Sequence, residues 1–386
     1  MKNAAVVASL TCLAIGAWLL LPKGPWMNAC PAILALAGVV LLQGETWRRT
    51  ALVSAAVAAS AFGLDMFATV AFPEDHRPAL TRTVVPGSWI EPDAVLGYRL
   101  SPNAEVLETA RYGDEPVYRA FYHIDEKGAR RTAAGDPDAP TYLFLGDSFV
   151  FGQGLNDDES LAAQFTRATD GAIRGINLGV PGYAPNHLVR ALEAGIIDRH
   201  SYNEPRGVVT WIIPAQLARI TGDGPWLGSS PHYVLHEGQP KFTGSFARHR
   251  WTNPGAGLIH LLQSHFIFAR TIGWHQRQQF QAELFVALLM RLQELVRVRL
   301  DAPLIVAYSW PDEESHPNYS GSEVPQDLLV EVISELRQRG IPLISMNRLI
   351  TGKDPGLLFI PHDGHPTAFT NKLLAVELVR LTKLVP

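Results

Sequence analysis

Ser148 stands near the end of the stretch Tyr142-Leu143-Phe144-Leu145-Gly146-Asp147-Ser148-Phe149, where an apolar run breaks into a turn. A serine placed at such a break can expose its hydroxyl, but at neutral pH it attacks carbonyl carbon only with help from a base. The candidate base stands far downstream, in Pro361-His362-Asp363-Gly364-His365-Pro366-Thr367. There the His365 imidazole can take the serine proton, and the Asp363 carboxylate can fix its tautomer and stabilise the imidazolium. A third segment, Asn177-Leu178-Gly179-Val180-Pro181-Gly182-Tyr183, offers two glycines whose N–H groups no side chain would shield from a developing oxyanion. Each feature has a plainer reading. Asp147-Ser148 can simply cap or turn the chain, and glycine can serve only a loop. The histidines can be surface residues of a helix-entry loop. A His-Asp-x-His metal site would need a third ligand that the sequence does not identify, so neither metal nor cofactor is expected.

These segments matter only if the fold gathers them. Short apolar runs at Thr141–Leu145, Ile173–Leu178, Gly207–Ile213, Pro303–Tyr308 and Ile341–Ser345 predict strands. Helical patterns at 159–169, 186–198, 276–300, 325–339 and 367–383 alternate with them. In the third, Phe280, Leu284, Leu288, Leu292 and Val296 recur at helical spacing and predict a core stripe. Strands alternating with helices imply an α/β fold with a parallel sheet covered on both faces. Ligands of such sheets bind beyond the C-terminal strand ends, which is where the serine and glycine segments fall. Residues 74–94 read as a linker, and 95–125 as a hairpin lead-in with Gly113-Asp114 at its turn. Residues 220–257, with Trp226 and Trp251, are too long for a plain connection and are expected to form an insertion over a site.

Charge is unevenly spread over the 386 residues, which hold 33 Lys+Arg and 37 Asp+Glu. Lys2, Lys23, Glu45, Arg48, Arg49 and Asp65 are all the charges of residues 1–73. The apolar stretches between them reach the roughly 20 residues a helix needs to cross a bilayer, so three transmembrane helices are expected. A cleaved signal peptide ending near Ala29-Cys30 is the alternative for the first. The order Lys2, Lys23, Arg48-Arg49 places residues 74–386 outside the cytoplasm, periplasmic in a Gram-negative cell. The body is mildly acidic, which excludes a nucleic-acid footprint. The only cysteines, Cys12 and Cys30, lie in the apolar part, so the body holds no disulfide. The expected organisation is 1–73 in the membrane, 74–138 as linker and β-rich lead-in, and 139–386 as the α/β domain with its insertion at 220–257.

On Gly146-Asp147-Ser148, Asn177 through Gly182, and Asp363-Gly364-His365-Pro366, residues 140–384 resemble the SGNH/GDSL hydrolase superfamily. The N-terminal spans and the Gly97-Tyr98 to Gly128-Ala129-Arg130 lead-in are similar to membrane-anchored bacterial members. The resemblance implies a three-layer α/β/α, flavodoxin-like domain with Ser148 as nucleophile, His365 as base and Asp363 as orienting acid. It implies N–H groups of Ser148 and Gly182 as oxyanion donors. Two departures stand out. The acid and base are one residue apart rather than two. The asparagine expected after the third strand is absent, and Pro214-Ala215-Gln216-Leu217 leaves Gln216 as the candidate substitute.

The activity implied is ester hydrolysis outside the cytoplasm, with O-acetylated envelope glycans or lipids as expected substrates. Two alternatives stay open. One is an O-acyltransferase using the same triad on polysaccharide, and the other a catalytically silent binding module of a polysaccharide-export assembly. Weaker signals are Arg130-Arg131, an anion grip or a solvated pair, Ser309-Trp310-Pro311 after a strand, and the glycosylation-type triplet Asn318-Tyr319-Ser320.

Overall fold

The computed structural model describes residues 79–132, 135–265, 274–310 and 325–382, with scattered positions between 44 and 67. Most of the expected spans, Pro311 and Asn318-Tyr319-Ser320 lie outside the described residues. Among the described residues no helix is long and apolar enough to cross a membrane. Residues 78–249 and 277–386 form one compact unit, and 1–77 group with 250–276 in another.

The larger unit is built on a five-stranded sheet. Its strands are β6 (Thr141–Gly146), β7 (Arg174–Gly179), β8 (Pro205–Ile212), β11 (Leu304–Tyr308) and β12 (Leu343–Ser345). They run in the order β12-β11-β8-β6-β7, and every pair is parallel. Side chains alternate across the pleat, so one strand supplies two cores. Leu143 and Leu145 of β6, Val208 and Ile212 of β8, and Leu304 and Val306 of β11 face one layer. That layer is closed by helices Pro185–Glu193, Trp274–Leu295 and Gln326–Gln338, through Leu188, Leu288 and Ile333 among others. Tyr142, Phe144, Val209, Trp211 and Ile305 point the other way, against Leu161 and Phe165 of helix Leu161–Ala168 and Leu374 and Leu378 of helix Ala368–Thr382. The five expected strands and five expected helices are all present. The stripe of the long helix is buried from Leu284 through Val296, but Phe280 is 39% exposed, because the core ends one turn before it.

The segment expected to be a linker is not one. Leu80–Val85 forms β1 and pairs antiparallel with β4 (Glu105–Tyr112), which pairs in turn with β5 (Glu115–His123). Ile90–Asp93 (β2) pairs with Gly97–Leu100 (β3). β1 reads as polar because it is an edge strand, and its Thr81, Arg82 and Thr83 stay exposed. The lead-in shares the first core. Trp89 lies 4.6 Å from the Phe151 ring and 5.2 Å from Tyr122, centroid to centroid. In the insertion, β9 (Pro231–His236) and β10 (Gln239–Ser245) make a hairpin. Its turn residues Glu237 and Gly238 both have positive φ.

Candidate active site

The turn that carries Ser148 is fixed from several sides. At Gly146 a Cβ would come within 2.5 Å of Val150 Cγ2, so only glycine lets the chain fold back there. Asp147 caps the short helix Ser148–Phe151, its Oδ1 accepting from Phe149 N at 3.0 Å, and Gly152 ends that helix in the left-handed region. At Gly179 a Cβ would sit 2.3 Å from Phe151 N, so β7 presses directly on the turn. The Asn177 amide donates to Phe151 O at 3.1 Å while its Oδ1 accepts from Gly179 N at 3.1 Å.

Arg130 supplies the strongest hold. Its Nη1 donates to Phe151 O and Gly152 O, both at 2.7 Å, and its Nη2 to Leu155 O at 2.5 Å. Its Nε meets Asp157 Oδ1 at 2.9 Å, and the guanidinium lies 4.5 Å from the Tyr122 and Phe151 ring centres. Burial lowers its pKa, against the opposing pull of Asp157. Arg130 is therefore neither an anion grip nor half of a solvated pair, as the sequence had suggested. It is a buried staple whose guanidinium donates to three carbonyls of the loop after the Ser148 turn.

The geometry brings the distant histidine to the serine. His365 Nε2 is 2.8 Å from Ser148 Oγ, and His365 Nδ1 is 3.1 Å from Asp363 Oδ1. The second contact lacks the alignment of a full hydrogen bond, since Nδ1 and Asp363 Oδ2 make none. The loop that holds both is wound tightly. Gly364 N and Asp363 N donate to Ile360 O at 2.9 and 3.2 Å, and Ile360 N donates to His365 O at 2.8 Å. His362 points away from Ser148 and His365 and stacks on Tyr112 at 4.0 Å. The Asp363 side chain is wholly buried and pairs through Oδ1 with Arg82 Nη2. Burial acts to raise its carboxyl pKa, yet His365 and Arg82 together hold it below the ordinary value.

Ser148 and His365 open onto a cleft of about 600 Å³ that Gly182, Tyr98, Arg219 and Trp226 also line. Gly182 has φ +85°, and a Cβ there would lie 2.6 Å from Tyr98 Oη and 2.8 Å from Trp226 Nε1. Tyr98 is itself pinned, donating to Pro181 O at 3.0 Å. Burial raises the Tyr98 pKa, so the phenol stays protonated as a donor. Among the described residues, the N–H groups of Ser148 and Gly182 have no hydrogen-bond acceptor, as oxyanion donors require.

Gln216 is placed differently from the expectation. Its amide nitrogen donates to Asp147 Oδ2 at 2.9 Å and Trp211 O at 3.2 Å, and the side chain is buried outside the cleft lining. The buried Asp147 carboxylate beside Ser148 claims it. The cleft-facing group from that helical turn is Arg219, whose Nη1 donates to the same Asp147 Oδ2 at 2.7 Å and to Tyr183 O at 3.2 Å. Ser309 and Trp310 also miss the cleft. Ser309 Oγ accepts from Trp211 Nε1 at 2.8 Å, and Trp310 is buried against Phe285. Among the described residues no group of three or more His, Cys, Asp or Glu could hold a metal ion.

Arg82 and Arg219 are not singled out by the sequence, and Tyr98 is named there only as part of the lead-in motif. Arg219 was one helical turn beyond Gln216 and Tyr98 followed a turn glycine, so both carried a faint signal; Arg82, in an apparent linker, carried none.

No family model and no curated protein matches this chain. Solved structures do. A member of the lipolytic protein G-D-S-L family from Veillonella parvula matches at 10% identity and TM-score 0.36, over 64% of this chain and 100% of its own. A carbohydrate acetylesterase family member from Sinorhizobium meliloti matches at 14% identity and TM-score 0.35, over 63% and 98%. The lipase/acylhydrolase from Enterococcus faecalis matches at 17% identity and TM-score 0.32, over 63% and 95%. The chemistry of the site rests on the geometry above.

Proposed function

We propose that this chain is a serine esterase of the SGNH type. The observation that carries the reading is the 2.8 Å approach of His365 Nε2 to Ser148 Oγ across the open end of a parallel sheet. In the first step Ser148 Oγ attacks the ester carbonyl carbon and its proton passes to His365 Nε2. The carbonyl oxygen gains charge and turns toward the N–H groups of Ser148 and Gly182. Collapse breaks the ester C–O bond, His365 returns the proton to the leaving alcohol, and Ser148 is left acylated. Water, losing a proton to His365, then attacks the acyl carbon; the C–Oγ bond breaks, His365 returns the proton to Ser148 Oγ, and the acid leaves. Asp363, kept ionised by its neighbours, balances the imidazolium in each half.

The esters we favour are O-acetyl groups of envelope glycans or lipids. The apolar first 73 residues and the placement of their basic groups support an anchored enzyme working outside the cytoplasm. Trp226, 52% exposed at the edge of the cleft, supports a ring-bearing alcohol over a bare alkyl chain. The test is hydrolysis of an aryl acetate and of an acetylated glycan by the full chain and by Ser148→Ala. Turnover that vanishes with the serine supports the reading. Acyl release that requires a sugar acceptor would make the protein a transferase. Folded protein with neither activity would refute both.

A further inference from the structure

We propose that Arg82, carried by the lead-in strand β1, is a positioning residue of the active site, holding the Asp363 carboxylate where its Oδ1 faces His365. The proposal rests on the triad reading of the site and extends the active site into a part of the chain that sequence patterns mark as linker.

The case starts from what Asp363 lacks. Its side chain is fully buried, its Oδ2 has no hydrogen-bond partner, and no backbone N–H is bonded to its carboxylate among the described residues. A buried carboxylate held by nothing but a neutral imidazole would protonate or turn away. With only Gly364 between acid and base, the loop itself brings Nδ1 and Oδ1 to 3.1 Å without aligning them. A further constraint has to come from elsewhere in the fold. Arg82 provides it, through Nη2 on that same Oδ1.

Arg82 is in turn anchored. Its Nε donates to Tyr118 Oη at 3.0 Å, and Tyr118 donates to Glu108 Oε2 at 3.0 Å. Glu108 is 2% exposed and also receives Tyr122 Oη at 2.5 Å and the Gln153 amide at 3.1 Å. Tyr122 Oη accepts from Gly154 N at 2.8 Å, which returns the chain of bonds to the loop that follows the nucleophile. The lead-in sheet thus ties the acid loop to the nucleophile loop. The charged and titratable groups around Asp363 are Arg82 from β1 and His365 from its own loop. Tyr118 of β5 and Glu108 of β4 stand behind the arginine.

The test uses the full chain and its Arg82→Gln, Arg82→Lys and Tyr118→Phe variants. The Asp363 carboxyl is followed by 13C NMR against pH, assigned with Asp363→Asn, and kcat/KM for an aryl acetate is measured from pH 4 to 9. In Arg82→Gln the first proton-uptake midpoint of the acid–base pair should rise by about one pH unit or more, because the cation beside the carboxylate is gone. Its kcat/KM should fall about 10- to 100-fold, with the acid limb displaced to higher pH. Arg82→Lys should restore most of the midpoint and only part of the rate, since a lysine keeps the charge but not the fork to Tyr118. Tyr118→Phe should move both readouts in the same direction by less, and it stands in if Arg82→Gln fails to fold. A folded Arg82→Gln or Tyr118→Phe protein with unchanged midpoint and rate would overturn the proposal. A shifted midpoint in a protein whose wild type has no esterase activity would support the role of Arg82 and refute the esterase reading alone.

Discussion

Replacing Gly182 by alanine strikes the site at its most constrained backbone position. At φ +85° an L side chain costs about 1–2 kcal/mol relative to glycine. The added Cβ would also stand 2.6 Å from Tyr98 Oη and 2.8 Å from Trp226 Nε1, closer than such atoms approach, so something must move. Trp226 is half-exposed and can swing away. Tyr98 is held by its bond to Pro181 O, and losing that bond costs about 1 kcal/mol more. The total is about 2–3 kcal/mol, or a Tm lower by about 3–5 °C for a unit of this size. Any relief by loop movement also displaces the Gly182 N–H from the oxyanion position, a loss on the order of 100- to 1000-fold in kcat. Calorimetry and aryl acetate kinetics on Gly182→Ala measure the two effects. Adding Tyr98→Phe removes the nearest clash, so the double variant should regain stability and part of the rate, a non-additivity of the kind contacting residues show. A Gly182→Ala protein with wild-type kcat would refute the placement of the oxyanion donor in this loop.

Three other outcomes follow from named contacts. Arg130→Met should destabilise the fold by about 3–5 kcal/mol, read by urea unfolding, because it takes the cation from beside Asp157, leaves Leu155 O without a donor and removes one donor each from Phe151 O and Gly152 O. Asp363 has a folded pKa below its unfolded 3.8, so its contribution is full above 3.8 and is lost as pH falls through the folded value; Asp363→Asn should flatten the stability curve there, measured by denaturant titration at pH 2.5–5. His187 is buried with its pKa pushed down to about 3, so the unfolded chain binds a proton below about 6.5 that the folded chain refuses; stability should fall from pH 6.5 toward 3, and His187→Phe should remove that slope.

Much of the catalytic layer was legible in the sequence because parallel strands buried on both faces leave unmistakable apolar runs. β6 is one such run, and the loop at its end is where chemistry belongs. Ser148, His365 and Asp363 could be read because each sits in a short segment next to a predicted element boundary. The lead-in was harder. β1 is an edge strand whose Thr81-Arg82-Thr83 run is polar, so its periodicity is that of a loop, and its pairing with β4 depends on residues 22 or more positions away. Arg82 reaches Asp363 across 281 positions, a contact that no local pattern encodes. Arg130 failed for another reason. Next to Arg131 it looks like a surface pair, and only the crowd of carbonyls around Phe151 turns it inward. Gln216 was assigned by position along the chain, whereas its direction was set by a buried neighbour, Asp147, whose need for donors the sequence does not reveal.

The central claim is that Ser148 is a nucleophile activated by His365, and covalent capture tests it most directly. The full chain would be treated with a fluorophosphonate, and the adduct located by peptide mass spectrometry, in wild type, Ser148→Ala and His365→Ala. The account predicts one adduct, on the peptide containing Ser148, absent in Ser148→Ala and formed far more slowly in His365→Ala. A folded wild-type protein that stays unlabelled, or one labelled equally fast without His365, would contradict it.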